Sequence, residues 1–318
     1  RKESSAASDV YKRQPQGNRP MQLFKNAHFY TAGADLPELS GEMIEEAAKM
    51  LHFTPVLAQS VSSSGFEPIV DDGPFMLEIG EKCYLLRLRE DKKSIPTTLL
   101  ARLVGEKVAE IEKAEGRKVG RKERADLKEN ITFSLLPQAF PKTSTVYGWL
   151  DLSVTPCRMV VGATSANKAE EFISKLRQAL GSLPVFPAVP EKQPAGVMNE
   201  WIRHGEGPDG YIVDGFATLD DADGGEAKFD NMNVAQDEEV IAFLDAGFNT
   251  NAVRLCGVDG TVEFVLTGTM QMKKIKAEIE YDGEGDHLEY MAHCTGVLRL
   301  LIDGAFNSAV HAFGGLKG

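Results

Sequence analysis

Two helical segments bracketed by prolines lie in the middle of this chain, and they constrain its fold more than any other feature. After Pro96, apolar residues recur at helical spacing as far as Gly116. A polar break at 116–120 follows, and a second helical stretch then runs to about Leu136, where Pro137 ends it. Because the break is short, we expect the two helices to form a hairpin that occupies residues 95–141 and projects from the rest of the protein.

Strand patterns flank this hairpin on both sides. Each side offers short apolar runs and an amphipathic helix, and the second of these helices ends at Gly181. The predicted fold is α+β, with antiparallel sheets and packed helices in a pseudo-repeated central domain made of 21–94 and 142–188. The expected strands are 23–31, 75–79, 83–88, 146–152 and 157–162, and the expected helices are 39–51 and 165–180.

A separate C-terminal domain, residues 189–318, is predicted from a change in composition. Prolines at 184, 187, 190 and 194 mark the boundary. From Glu191 onward there are 23 acidic residues against 9 basic ones. We expect strands at 262–266 and 270–276 and a closing helix at 288–309, so this domain is also α+β.

Residues 1–20 are polar and show no periodicity, and Met21 opens the first apolar run. We expect them to be a non-native or disordered N-terminal extension. The sequence contains no uninterrupted apolar window of about 18 residues and no recognisable secretory signal, so we expect a cytoplasmic protein without membrane contact. The four cysteines are scattered and form no C-x-x-C pair, which favours reduced thiols over a disulfide framework or a zinc site.

The helical hairpin is basic, although the chain carries a formal net charge of −12. Between Lys82 and Lys128 there are 14 Lys or Arg residues against 8 Asp or Glu residues. Phosphate contact depends on where the cations lie, so this clustering indicates a surface for nucleic acid. The alternative is a solvated helix laced with i,i+4 ion pairs. The candidate DNA-binding residues are Arg87, Arg89, Lys92, Lys93, Arg117, Lys118, Arg121, Lys122 and Arg124.

Little in the sequence indicates catalysis. It contains no phosphate-binding glycine loop and no set of nucleophile, base and orienting residue. Residues 221–226 resemble half a calcium loop but lack its closing glutamate, and His287, His293 and Cys294 form one isolated group of possible metal ligands. We therefore expect no enzyme, no metal and no cofactor. A metal-dependent hydrolase that uses carboxylates of the acidic domain is the alternative.

Phe140 is unusual because it is an aromatic residue in a loop between Pro137 and Pro141, at the foot of the hairpin. One interpretation is a plug that fills the local core beneath Leu135 and Leu136. The other is an exposed anchor for a second subunit, because rigid aromatic anchors concentrate binding energy.

Three motifs closely resemble the recombination-associated protein RdgC family. They are Phe133-Ser-Leu-Leu-Pro-Gln-Ala-Phe140, Trp149-Leu-Asp151 and the stretch from Lys168-Ala-Glu-Glu-Phe172 to Gly181-Ser-Leu-Pro184. Shorter motifs agree as well, namely Leu23-Phe-Lys-Asn26, Phe53-Thr-Pro55 and Glu200-Trp-Ile-Arg203. The resemblance is specific from residue 21 to about 205 and is weaker beyond Ala217.

This resemblance implies a ring-shaped, non-catalytic homodimer that encircles duplex DNA with little sequence preference. It leaves open whether single strands bind as well. It further implies association with the nucleoid and restraint of RecA by competition for DNA. The Phe that corresponds to Phe140 contributes to the subunit contact at the hairpin tip. A protein-interaction scaffold that dimerises through the hairpin without binding DNA is the alternative function.

The family also uses a basic residue and an amide at a second subunit contact in the C-terminal domain. That basic residue is a lysine in the family. The corresponding stretch of this chain is Asp230-Asn231-Met232, which contains no lysine. Either Lys228 serves instead, or this protein closes its second contact differently.

Overall fold

The computed structural model describes residues 23–281 and 285–317, and the expectation for residues 1–20 lies outside them. The described chain divides into two compact bodies. The first body comprises Asn26–Glu191 with Thr267–Lys273 and residues 316–317, and the second comprises Lys192–Leu266 and Lys274–Gly315 together with residues 23–25. The domain bounds given above remain predictions. Among the described residues, no helix is both long and apolar enough to span a bilayer.

The first body is built on an antiparallel sheet with the strand order β2-β4-β5-β6-β1, with β3 beside β4 and β7 beside β1. Its longest ladder runs between β4 and β5, from Cys83 opposite Asp151 to Lys93 opposite Pro141. The strands are β1 (Asn26–Ala32), β2 (Ser62–Glu67), β3 (Met76–Gly80), β4 (Cys83–Lys93), β5 (Pro141–Asp151), β6 (Arg158–Val161) and β7 (Val185–Pro187).

Two helices, α1 (Gly41–Met50) and α4 (Ala166–Leu180), contribute to the core of this body. A serine hydroxyl caps each of them, since Ser40 accepts a hydrogen bond from the backbone N–H of Met43 and Ser165 accepts one from Lys168. Their apolar faces pack with the sheet around Phe172, whose ring lies edge-on to Phe66 at 5.9 Å. These helices lie where the sequence places them.

Between β4 and β5 the chain forms α2 (Thr97–Glu115), α3 (Arg121–Leu135) and a 3-10 turn (Leu136–Gln138). The two helices share a small core of their own. It consists of buried Leu100, Val104 and Val108, with Ile95, Val119, Leu127 and Ile131 packed against them.

The second body holds the strand order β12-β11-β10-β8-β9, with three helices. Trp201 stacks on Phe313 at 5.3 Å between ring centroids. The elements are α5 (Pro194–His204), β8 (Tyr211–Asp220), β9 (Glu226–Asp230), α6 (Glu238–Asp245), β10 (Asn249–Gly257), β11 (Val262–Thr267), β12 (Met272–Ala277) and α7 (His287–Ala312).

The α+β class is confirmed, with antiparallel pairing throughout the named ladders and seven α-helices within the described residues. Two strand boundaries were wrong. β4 continues to Lys93, past the expected end at residue 88. β5 begins at Pro141, not at Val146, because its polar first residues pair with the equally polar end of β4, where Lys142 lies opposite Lys92 and Thr143 opposite Asp91. Polar residues without alternation give no strand signal in the sequence.

Candidate nucleic-acid interface

The turn between α2 and α3 is fixed by its backbone and by one glutamate. Gly116 adopts φ +64°, which favours glycine, and its N–H donates to the carbonyl of Glu112 at 3.0 Å. The carboxylate of Glu112 then accepts the N–H of Val119, also at 3.0 Å. Residues 117–119 are thereby tied to the end of α2.

Arg117 is the one basic residue of this turn whose charge is neutralised locally. Its Nε donates to Glu115 at 2.6 Å, and its two terminal nitrogens donate to Glu123 at 2.7 and 2.8 Å. This pairing raises the pKa of Arg117 and lowers that of the Glu123 carboxyl. Arg117 is therefore a bridge between the helices, rather than an uncompensated cation.

Four other basic residues surround this bridge, and we call them the turn cations: Lys118, Arg121, Lys122 and Arg124. All four are exposed, and none makes an ion pair with any described residue. Along α2, by contrast, Arg102 pairs with Glu106 at 2.6 Å and Lys107 with Glu110 at 2.7 Å. The solvated-helix interpretation thus fits the middle of α2, whereas the turn cations remain uncompensated.

The cations of β4 lie in a different setting, because carboxylates neutralise the two arginines. Arg89 donates to both oxygens of Asp91 at 2.8 and 2.9 Å and to Glu67 at 3.0 Å, and its guanidinium stacks 4.2 Å above the ring of Phe53. Arg87 pairs with the same Glu67 at 3.1 Å. The structure therefore places these two arginines in a sheet-bound ion network.

Lys92 and Lys93 are neighbours in sequence but not in environment. Lys92 is exposed, whereas Lys93 is buried and its ammonium donates to the carbonyls of Leu57 at 2.9 Å and Ala58 at 2.7 Å. Successive side chains of a strand point to opposite faces. Lys93 thus holds the loop before β2 in place. The expectation that Lys93 is one of the cations facing DNA was wrong.

Phe140 is 90% exposed, which makes it the most exposed of the large apolar side chains in the described chain. The interpretation as a local plug is wrong, because so exposed a ring fills no core, whereas nearby Leu136 is only 5% exposed. The N–H of Ala139 closes the 3-10 turn on the carbonyl of Leu136 at 3.2 Å. Phe133, on α3, is also exposed, at 56%.

The second body carries a cation cluster that could not be recognised from the sequence. Lys228 of β9, Arg254 of β10 and Lys274 of β12 all lie within 6 Å of the ring centroid of Phe216 on β8. They stand 20 or more residues apart in a strongly acidic stretch, so the sequence does not show that they lie together. We call these four residues the Phe216 cluster.

Within residues 23–281 and 285–317, no group of three or more His, Cys, Asp or Glu side chains is placed to hold a metal ion. The Asp221 carboxylate accepts the N–H groups of Asp223 at 2.9 Å and Gly225 at 2.7 Å, which is the geometry of a tight turn. The imidazole of His293 lies 3.1 Å from the carbonyl oxygen of Glu280, and Cys294 is buried.

A sequence model of one protein family, described as "Putative exonuclease, RdgC", matches residues 22–290 of this chain. The chain belongs to the RdgC family. This confirms the resemblance drawn from the motifs above. The match to RdgC also extends past Ala217 and takes in all five strands of the second body.

Three relatives named "Recombination-associated protein RdgC" illustrate the similarity. The RdgC of Proteus mirabilis is 30% identical over 259 residues, which cover 80% of this chain and 84% of that protein. The RdgC of Tolumonas auensis is 31% identical over 256 residues, covering 80% and 83%. The RdgC of Shewanella loihica is 28% identical over 303 residues, covering 92% and 98%. The family description names an exonuclease, whereas these relatives are named for recombination.

Proposed function

We propose that this RdgC-family protein is a non-catalytic, sequence-independent DNA-binding protein, and that two copies close into a ring around duplex DNA. The bound ring limits the access of RecA to DNA and keeps the protein on the nucleoid. The observation that carries DNA binding is the group of four exposed turn cations without ion-pair partners. The names of the relatives support the link to recombination.

The turn cations suit a partner that is recognised by its phosphates. They are four unpaired positive charges within seven residues, on the turn that Gly116 and Glu112 tie to α2 and on the first turn of α3. Contacts to the phosphates of DNA do not distinguish one base from another, so binding of this kind is independent of the DNA sequence. The acidic remainder of the chain repels DNA from other surfaces and thereby favours contact at this one.

Phe140, which follows α3 and the 3-10 turn, supports a subunit contact in the first body. An aromatic ring that is 90% exposed is removed from water only when another molecule covers it. Phe133 adds a second exposed ring on the adjoining helix. The proposed partner is a second copy of this chain. A ring made of two copies needs two separate subunit contacts, and Phe140 belongs to one of them.

Binding to random-sequence duplex DNA across a salt series tests the DNA-binding part. The affinity of the wild-type protein should fall steeply with salt, by a log–log slope of roughly 0.9 for each phosphate neutralised. The variant Lys118→Gln/Arg121→Gln/Lys122→Gln/Arg124→Gln should show a shallower slope. The matched control is Arg102→Gln/Lys107→Gln, which removes two paired cations of α2 and should retain most of the wild-type slope. Undetectable binding at low salt would favour the scaffold alternative.

The ring and its effect on RecA need two further measurements. Sedimentation should give a dimer. A ring around closed circular duplex DNA should stay bound when the salt concentration is raised, whereas the same salt concentration should release the ring from the linearised DNA. RecA strand exchange should slow as the protein is added, and added DNA should relieve the inhibition. Degradation of labelled DNA with added Mg²⁺, abolished by a chelator, would instead support the exonuclease named in the family description.

A further inference from the structure

The Phe216 cluster brings three cations from three different strands over one aromatic ring. The ammonium of Lys274 lies 4.9 Å from the ring centroid, the guanidinium carbon of Arg254 lies 5.7 Å away, and the ammonium of Lys228 lies 5.8 Å away. The ring itself is buried against Ala252 and Val265, so a small apolar floor lies beneath the charges. Lys228 and Lys274 are exposed, and a solute can reach their ammonium groups.

The backbone is specialised to bring these side chains together. Gly215 adopts φ +60°, and a Cβ there would lie 3.0 Å from a terminal nitrogen of Arg254, so glycine leaves room for the guanidinium. Opposite Gly215, the register of β10 shifts between Val253 and Leu255, which places Arg254 at an irregularity of the ladder. Lys274 itself has φ +52°, a conformation uncommon for a lysine.

One carboxylate accompanies the three cations. Asp230 lies 3.3 Å from the Lys228 ammonium and 3.8 Å from the Arg254 guanidinium. The pKa of the Asp230 carboxyl is lowered, first by its hydrogen bond from Lys228 and then by the charges of Lys274 and Arg254. All three cations therefore interact with the Asp230 carboxylate. Its single negative charge neutralises only part of their combined positive charge.

Cation–π attraction alone does not account for this arrangement. One ring stabilises a single cation, whereas three cations around it repel one another. An anion that binds between them relieves this repulsion and adds charge-assisted hydrogen bonds. The planar guanidinium of Arg254 suits the paired oxygens of a phosphate, and the two lysines supply further point charges.

We propose that the Phe216 cluster is a phosphate-binding site for the backbone of nucleic acid, with Asp230 as the carboxylate that competes with the bound phosphate. The site lies in the second body, apart in sequence from the turn cations. It takes up Lys228, so this proposal requires that the second subunit contact closes without that lysine. This inference rests on the proposed DNA-binding function and assigns that function a second group of contacts. Free inorganic phosphate shares the same chemistry, so the experiment must separate the two sources.

The test compares two triple variants in the DNA-binding salt series. Lys228→Gln/Arg254→Gln/Lys274→Gln removes the cluster, and the control Lys49→Gln/Arg102→Gln/Lys107→Gln removes three cations that are paired on helices of the first body. The cluster variant should lower the log–log slope by about 1 for each phosphate that it no longer neutralises, roughly 2 to 3 in all. The control should stay near the wild-type slope. Equal slopes for the two variants would overturn the proposal.

Asp230→Asn gives a second measurement that does not depend on the folding of the triple variant. Removing the competing carboxylate should tighten DNA binding several-fold at low salt. Asp245→Asn is the matched control, because Asp245 pairs with Arg203 at 2.7 Å in the same body, away from the cluster. Unchanged affinity in Asp230→Asn, with a native unfolding transition, would count against competition at this site.

The remaining outcomes separate this inference from the function on which it rests. If the wild-type protein binds no DNA at low salt, the proposed function fails together with the site. If the wild-type protein binds DNA and the cluster variant binds it equally well, only the cluster assignment fails. A last outcome is that inorganic phosphate stabilises the wild-type protein but not the cluster variant, while both proteins bind DNA equally well. In that case the site takes free phosphate, and the assignment to nucleic acid is wrong.

Discussion

Arg89 and Asp91 stand two residues apart on β4, and the guanidinium donates one hydrogen bond to each carboxylate oxygen, at 2.8 and 2.9 Å. Asp91 is 4% exposed and also accepts the hydroxyl of Thr143 on β5 at 2.7 Å. The pair therefore joins two strands of the first body. This use of the charges in folding distinguishes Arg89 from the turn cations, which have no such partner.

Asp91→Asn should destabilise the protein, because it leaves a partly buried guanidinium without its bidentate partner. Glu67 still contacts Arg89, so we expect a loss of about 1–3 kcal/mol in the free energy of unfolding. Urea denaturation at neutral pH measures this loss. Glu106→Gln, which breaks an exposed pair on α2, is the control and should change the free energy of unfolding by less than about 1 kcal/mol.

The same pair predicts a pH dependence of stability. The pKa of the Asp91 carboxyl is lowered, chiefly by its hydrogen bond from Arg89. A group with a lowered folded-state pKa binds fewer protons in the folded than in the unfolded state, so its contribution is present above the unfolded pKa of about 4. It is lost as the pH falls through the folded pKa. The difference in stability between wild type and Asp91→Asn should therefore shrink below about pH 4.

Gly65→Ala should strongly destabilise the first body. A Cβ at Gly65 would lie 2.5 Å from the backbone nitrogen and Cα of Phe53, and backbone atoms cannot move aside as a flexible side chain can. We expect a loss of roughly 2–4 kcal/mol, or failure to fold. Gly105→Ala in α2 is the matched control, because no atom lies within 4 Å of its added Cβ, and it should stabilise the helix by up to about 1 kcal/mol. Thermal unfolding at one protein concentration compares the two, and equal transitions would contradict this explanation.

The cysteine thiols should react slowly. Burial, followed by the charge of Asp214, raises the pKa of Cys256 to about 11, and burial raises that of Cys157 to about 12. The thiolate is the nucleophile, so alkylation at pH 8 should be slower than for an ordinary free thiol, by roughly a hundredfold for Cys256 and roughly a thousandfold for Cys157. Asp214→Asn should lower the pKa of Cys256 and speed its labelling, followed by mass spectrometry. An unchanged rate would mean that burial alone controls this thiol.

Proline and glycine residues at the helix ends explain why α2 and α3 of the first body were predictable from the sequence. Pro96, Gly116 and Pro137 delimit α2 and α3 within the chain itself, and the structure places the helices at Thr97–Glu115 and Arg121–Leu135. The start of β5 was missed because its polar residues gain strand geometry only by pairing with β4.

The partners of the charged residues could not be predicted, because they come from distant parts of the chain. Arg87 and Arg89 appear as unpaired cations in the sequence, and Glu67, which neutralises both, lies on another strand. The Phe216 cluster draws on four strands. A sequence reveals that a cation is present, but only the register of the sheet shows whether a carboxylate or an aromatic ring faces it.

The pair Phe140 and Leu136 gives the sharpest test of the subunit contact. Phe140→Ala should leave the unfolding of the isolated chain nearly unchanged, because the ring is 90% exposed, whereas Leu136→Ala should cost about 2–4 kcal/mol through loss of a buried side chain. Phe140→Ala should instead shift the monomer–dimer equilibrium toward the monomer, as measured by sedimentation equilibrium, since a covered aromatic anchor contributes strongly to an interface. Phe133→Ala reports whether the second exposed ring shares this role. A Phe140→Ala protein that dimerises as tightly as wild type would remove Phe140 from the contact and leave ring closure to another surface.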